Sequence, residues 1–362
     1  MSVSGQEQIS TSQTALSISS YIIAEGFIVM PRFAAMELGT PDVWLAMLLG
    51  GMICLIAGGV GAKLSQRFPG LTFFQYTGLI VGKPVGWLIS LVMIAYFVGT
   101  AALELRIQAE VMNHYLLNQT PIQAMMIAFM AVGLYLVMGG VNPTVRLMEL
   151  FLPITIIAIV IVFIVASKNV DLNNLRPVLS EGISPVIKVI KTTALPYSGF
   201  EIILLLTAFM NKPQNAVKAV AVGISIPLLL YVANAVVVIG TFGIDEVTTL
   251  TWPTMELARS IEFPGGFFEN FEAIFFVVWV IEFFTTYVLP SYFASLGLSQ
   301  LLNKKIVYFH FGLLPVIYWL AISPPDINAV FQLGDRVGMT AIFIAGVIPC
   351  VLFLIALARR RK

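Results

Sequence analysis

The sequence predicts an all-α integral membrane protein that crosses the bilayer about ten times, in two inverted repeats of five helices. Three observations predict it. Hydrophobic residues make up 59% of the 362 positions and charged residues 11%. A soluble domain is nearer half apolar and a quarter charged, so lipid has to be the main solvent. Ten runs are apolar over the roughly 20 residues that a helix needs to cross a hydrocarbon core of about 30 Å. Two of these runs, five apart in the order, are interrupted near their middles.

The first run, 12–36, contains SISSYIIAEGFIVMPR, with Ala24-Glu25-Gly26 placing a charge and a glycine at mid-span. Irregular backbone at that depth is tolerated only where protein or a watery cavity covers it. Runs 41–66, 84–112, 121–139 and 146–167 follow. The sixth, 183–209, contains TTALPYSGFEIILLL. There Pro196 removes a backbone donor and Ser198-Gly199 comes directly after. Runs 214–241, 268–298, 305–322 and 335–358 complete the chain. The whole chain reads as one transmembrane domain, with a first five-helix unit over 12–167 and a second over 183–358. Paired interruptions are what inverted repeats that share a midplane site would produce; two kinked packing helices without a site are the plainer alternative.

Two connections on the outer side are long, 168–182 and 242–267. The second holds WPTMELARSIE, with Leu250, Met255, Leu257 and Ile261 among polar residues. It reads equally as a solvated loop helix and as an amphipathic helix lying across the outer mouth. Ten spans put both termini on one side, and the tail Arg359-Arg360-Arg361-Lys362 assigns that side to the cytoplasm. With the tail, twelve basic residues fall on the inner side against seven outside. The N-terminus has no basic segment ahead of a short apolar core, so no cleavable signal is expected and the first span acts as its own insertion signal.

Net charge is +1 with no basic tract, which argues against nucleic acid as a partner. Cys54 and Cys350 lie far apart in apolar runs and read as reduced packing residues. His114 and His310 stand near span ends, so no metal site is expected. The sequence lacks the nucleotide-binding, zinc-hydrolase, dithiol and nucleophile-elbow motifs. No cofactor and no enzymatic activity are therefore expected, and the work must come from ligand binding and conformational change.

Several short stretches resemble one family. They are Pro31-Arg32, Arg67-Phe68-Pro69-Gly70-Leu71, Leu103-Glu104-Leu105-Arg106, Thr120-Pro121, Asn174-Leu175-Arg176-Pro177-Val178-Leu179, Gly199-Phe200-Glu201, Trp252-Pro253-Thr254 and Phe283-Phe284-Thr285-Thr286. In this order they are similar to the B subunits of spore germinant receptors, the spore-germination branch of the amino acid–polyamine–organocation transporters. The resemblance implies a fold like the bacterial leucine transporter, with helices 1 and 6 discontinuous. It implies residence in the spore inner membrane and a complex with an A-type membrane subunit and a C-type lipoprotein. It implies sensing of a small-molecule germinant: an amino acid, sugar, nucleoside or ion.

By family position the resemblance assigns Ala24, Gly26, Tyr96, Thr100, Ser198, Gly199, Thr285 and Thr286 to the ligand site. Tyr96 and Thr100 are four apart on one helical face, and Ser198-Gly199 would expose backbone to the cavity. A packed tyrosine and threonines bonded back to their own helix are the plainer readings. Glu25 departs from the small residues usual at this break, and carboxyls at mid-membrane, here Glu25 and Glu282, are functional candidates by default. Helices 1 and 8 are neighbours in related transporters, so Glu25 and Glu282 are expected to approach one cavity and hold a cation, an amine or a shared proton. An ionised Glu25 would also disfavour a ligand carboxylate at the helix terminus, which shifts weight from simple α-amino acids to sugars, nucleosides or cations. Arg106 and Glu110, four apart, are expected to pair. Glu104 and Glu201 are expected to scaffold the bundle, Glu201 by reaching Arg106 or by capping backbone amides. Three functions fit: a receptor subunit, an active secondary transporter of amino acid or cation, and a scaffold that binds no germinant.

Overall fold

The computed structural model describes residues 8–261 and 271–359, with backbone alone for 271–274. The tail Arg360-Arg361-Lys362 and positions 262–270, which carry part of the expected outer loop and the start of the eighth span, lie outside the described residues. Among the described residues the secondary structure is helical, with one isolated parallel bridge between Ile9 and Met210.

Among the described residues, six helices are long and apolar enough to cross a membrane: Val43–Gln66, Lys83–Tyr115, Val141–Asn169, Pro213–Thr249, Phe275–Leu302 and Ile327–Ala358. Two further spans are bent pairs, Thr11–Ile22 with Glu25–Leu38 at 47° and Ile190–Tyr197 with Phe200–Phe209 at 49°. Ile122–Val137 and Ile306–Ile322 are shorter apolar helices. The helices used below are α1 (Thr11–Ile22), α2 (Glu25–Leu38), α3 (Val43–Gln66), α4 (Phe73–Val81), α5 (Lys83–Tyr115), α6 (Ile122–Val137) and α7 (Val141–Ala166). After the first long connection come α8 (Ile183–Lys188), α9 (Ile190–Ala194), α10 (Ile203–Leu206), α11 (Ala216–Thr249) and α12 (Pro253–Arg259). The last are α13 (Phe271–Leu302), α14 (Ile306–Ile322), α15 (Ile327–Ala341) and α16 (Ile348–Ala358).

Both expected interruptions are present. Ser10 caps α1 in a reciprocal box with Gln13, and the helix ends when Ala24 adopts φ −130°, ψ −122°. Residue 25 then opens α2. In the sixth span Gly199 takes φ 124°, a conformation that side chains beyond glycine rarely reach. An added Cβ there would also lie 2.5 Å from the Tyr21 ring.

The core has two main seams, α5 on α13 and α3 on α11, with α1 wedged among α7, α11 and α13. Ring-on-ring contacts fill it: Phe27 stacks on Trp279 at 5.2 Å, and Tyr197 meets Tyr231 at 4.9 Å. Two elements differ from the sequence expectation. The loop after the second span contains α4, which Thr72 and Gln75 cap reciprocally and which buries Phe73, Tyr76 and Ile80. The helix expected to start at 335 starts at Ile327, where Asp326 accepts from the Ala329 amide at 2.9 Å. Asp335 and Arg336, at the expected start of that span, are interior to α15. In the outer connection, α12 packs on α2, α11 and α13 with Met255 and Leu257 fully buried. Thr254 at its start donates to the Phe27 carbonyl at 3.0 Å.

Candidate functional site

The two interruptions meet. Tyr231 on α11 reaches both with its hydroxyl, 3.1 Å from the Ile22 carbonyl and 3.2 Å from the Pro196 carbonyl. A helix end leaves carbonyls without intrahelical partners, and one phenol serves a carbonyl from each broken span. Beside this junction lies a cavity of about 140 Å³. Its walls come from the first break, from α5, from the Leu195–Ser198 segment and from α15.

Of the residues expected at the site, Ala24, Glu25, Gly26, Tyr96, Thr100 and Ser198 line this cavity. The Tyr96 hydroxyl is already engaged, donating to Glu201 at 2.7 Å, and Thr100 bonds back to the Tyr96 carbonyl at 3.0 Å. Gly199 stands outside the lining, packed on Tyr21. Its amide donates to Glu201 at 2.7 Å, so Glu201 caps the broken helix, one of the two roles foreseen for it. The Arg106–Glu110 pair forms at 2.8 Å, and Arg106 also donates to the Ala321 carbonyl at 3.2 Å.

Two expectations are corrected. Glu282 does not share a cavity with Glu25. It is fully buried elsewhere in the bundle, accepting from Ser20 on α1 and Thr155 on α7, each at 2.6 Å. Thr285 and Thr286 stay with it, both donating to the Glu282 carbonyl and neither lining the cavity. The reason is rotational: α13 turns this stripe towards α1 and α7, and the two hydroxyls satisfy the acid there. The second correction concerns Glu104, expected in the scaffold. It lines the cavity, and its Oε2 is buried without a hydrogen-bond partner among the described residues. Tyr96, Thr100 and Glu104 are spaced by four, one stripe of α5, which is the signal that places it there.

Two more polar lining residues were missed. Tyr21, four before Glu25, is 4% exposed and its hydroxyl has no hydrogen-bond partner among the described residues. Asp335 joins the lining from α15, next to Gly334, where an added Cβ would lie 3.7 Å from the Glu25 Oε1. An earlier start for the last span would have revealed Asp335. Among the described residues no lysine, arginine or histidine lines the cavity. In its lining Phe33 meets Phe331 edge-on at 5.3 Å, with the Arg32 guanidinium about 6 Å from both rings.

An interrupted first span, an interrupted sixth span and a cavity where they meet define a membrane protein of the leucine-transporter fold class. The chain belongs to the family described as "Spore germination protein", whose profile matches residues 8–330. It is 42% identical to "Spore germination protein YndE" of Bacillus subtilis (strain 168), over 98% of each chain. It is 33% identical to "Spore germination protein A2" of the same organism, over 98% of this chain and 97% of the relative. Among solved structures, it resembles MhsT in complex with L-phenylalanine, with TM-score 0.69 and 13% identity over 97% of this chain and 98% of the other. The nucleobase-cation-symport-1 family transporter Mhp1, in a closed conformation with bromovinylhydantoin bound, gives TM-score 0.68 and 13% identity over 99% and 80%.

Proposed function

We propose that the protein is a membrane subunit of a spore germinant receptor, binding a small-molecule germinant in the cavity between the two broken spans. The observation that carries this reading is a cavity of about 140 Å³ where the two broken spans meet, with Glu25, Tyr96, Thr100, Glu104 and Ser198 in its lining. A mostly apolar hollow with a few polar groups is the usual form of a small-molecule site. Ligand binding favours one conformation only if affinity differs between states. The junction held by Tyr231 is the element that would differ, since α11 touches both breaks. The change would pass to an A-type membrane subunit and a C-type lipoprotein in the spore inner membrane, with both termini on the core side. The halves 12–167 and 183–358 would be the two inverted repeats. Ligand binding and conformational change are the whole of the activity, without catalysis, metal or cofactor.

The test uses spores lacking their own copy of this gene, complemented with wild type or with Thr100→Phe, which fills the cavity. Thr100→Phe should raise the germinant concentration for half-maximal response by about tenfold or more, the effect of losing about 1.4 kcal/mol of binding. An unchanged dose response would leave only the scaffold role. The likeness to Mhp1 favours a second reading, solute transport with a coupled cation. Uptake of labelled solute by this chain alone in liposomes would support transport.

A further inference from the structure

We infer that an anionic phospholipid of the surrounding bilayer binds in a groove beside the sixth-span break, whatever the ligand cavity itself holds. The groove, of about 440 Å³, lies between α3, the α8–α9 segment and the last span. Ile53 and Ala57 line it from α3, and Ile342 and Ala345 from the last span. That span takes a π-helical turn over Ile342–Val347 where it borders the groove, a widening often found at functional sites. Lys188 and Lys191 also line the groove, and both are exposed. Neither has an ion-pair or hydrogen-bond partner among the described residues. Glu37 reaches the same segment but accepts from Thr192 and pairs with neither lysine. Among the described residues no acidic side chain lines the groove.

Charge and depth together select the occupant. Ser198, at the break in the middle of its span, lines the far end of the groove. Lys191 and Lys188 stand seven and ten residues before it. At about 1.5 Å per residue they lie about 10 and 15 Å from the break. Half of a hydrocarbon core of about 30 Å is about 15 Å, so the groove runs the depth of one leaflet with its two cations at headgroup level. Basic pockets between transmembrane helices are the usual seats of anionic headgroups, and an apolar trough below one fits an acyl chain. Two other hollows on the outside of the bundle, between α6 and α13 and between α6 and α14, are lined without a charged residue. They give an anionic lipid no advantage over a neutral one. At its deep end the groove meets the ligand cavity, because Leu195, Ser198 and Ala341 line both. A chain seated in the groove packs on the far side of these three residues and supports the broken segment.

The full chain, purified in detergent, is tested by native mass spectrometry and apparent Tm. The probes are phosphatidylglycerol, phosphatidylcholine with the same chains, and inorganic phosphate. Phosphatidylglycerol should raise Tm with a half-effect concentration about tenfold or more below that of phosphatidylcholine, and inorganic phosphate should not raise it. The mass spectra should show one phosphatidylglycerol retained by wild type and lost from Lys188→Gln/Lys191→Gln. That double variant should also lose the preference for phosphatidylglycerol in Tm. Gly346→Phe fills the groove from a position where an added Cβ meets nothing within 4 Å, so it tests occupancy without overpacking. It should weaken the response to phosphatidylglycerol by about tenfold. None of the three substituted residues lines the ligand cavity, so these outcomes are separate from the sensing role. Equal responses to the two lipids, an equal response to inorganic phosphate, or a preference unaltered in the lysine variant overturns the inference. Unaltered lipid binding by Gly346→Phe, with loss of receptor assembly in spores, would make the groove a subunit contact and overturn it as well.

Discussion

Gly26 and Pro196 touch across the two broken spans: a methyl group built on Gly26 would lie 2.9 Å from the Pro196 Cβ. The same methyl would lie 2.6 Å from the Tyr231 hydroxyl, which serves a carbonyl from each span. Glycine at 26 is thus a spacing requirement. It lets the start of α2 approach the sixth span closely enough for one hydroxyl to hold both.

Gly26→Ala should accordingly be overpacked, at a cost of about 1–3 kcal/mol. The expected outcome is a lower apparent Tm in detergent and less assembled protein in spore membranes. A wild-type Tm would mean that the spans are not held this tightly.

Tyr231→Phe keeps the ring, which packs on Phe27 and Tyr197, and removes only the hydroxyl. The Ile22 and Pro196 carbonyls would lose this donor inside the protein. The cost should be about 1–3 kcal/mol, read as a fall in Tm. If Tyr231 also sets the relation between the breaks, germinant sensitivity should change even where protein level is restored by higher expression.

Much of this architecture was legible in the sequence, for identifiable reasons. Glu25-Gly26 and Pro196 with Ser198-Gly199 break helical sequence with residues that have few other uses at mid-membrane, so both interruptions were found. Arg106 and Glu110 paired as their spacing required. What stayed hidden depended on rotation and on partners distant in sequence. Nothing near Glu282 in the chain announces Ser20 or Thr155, which are 262 and 127 positions away. Asp335 was hidden because the expected span began at that residue, so the preceding turns of α15, with Phe331 on the same stripe, were not in view. Tyr231 looks like any tyrosine in an apolar run, and only the meeting of the two breaks gives it a role.

Glu282 links three helices through two hydroxyls. Glu282→Leu should lower the yield of folded protein sharply, because Ser20 and Thr155 lose their shared partner and the new side chain differs in shape. Glu282→Gln, which retains the length and one acceptor, should fall in between. Size-exclusion profiles of the two variants check the order Leu below Gln below wild type.

Arg106→Gln should leave Glu110 without its pair and the Ala321 carbonyl without its donor. Hydrogen bonds to charged groups are worth about 1.5–3 kcal/mol, so a clear fall in Tm is expected. The double variant Arg106→Gln/Glu110→Gln should recover part of it, because no unpaired charge remains. A double variant as unstable as the single one would place the main role of Arg106 at Ala321.

The most direct measurement is thiol labelling with a charged, membrane-impermeant thiosulfonate, in a chain whose Cys54 and Cys350 are alanine. A cysteine at the cavity wall, Ser198→Cys, should react readily. Thr285→Cys, at a site 1% exposed and away from the cavity, should stay unreactive. If the residue 198 thiol is as inert as the one at 285, the broken spans enclose no water-filled chamber, and the account of ligand sensing fails.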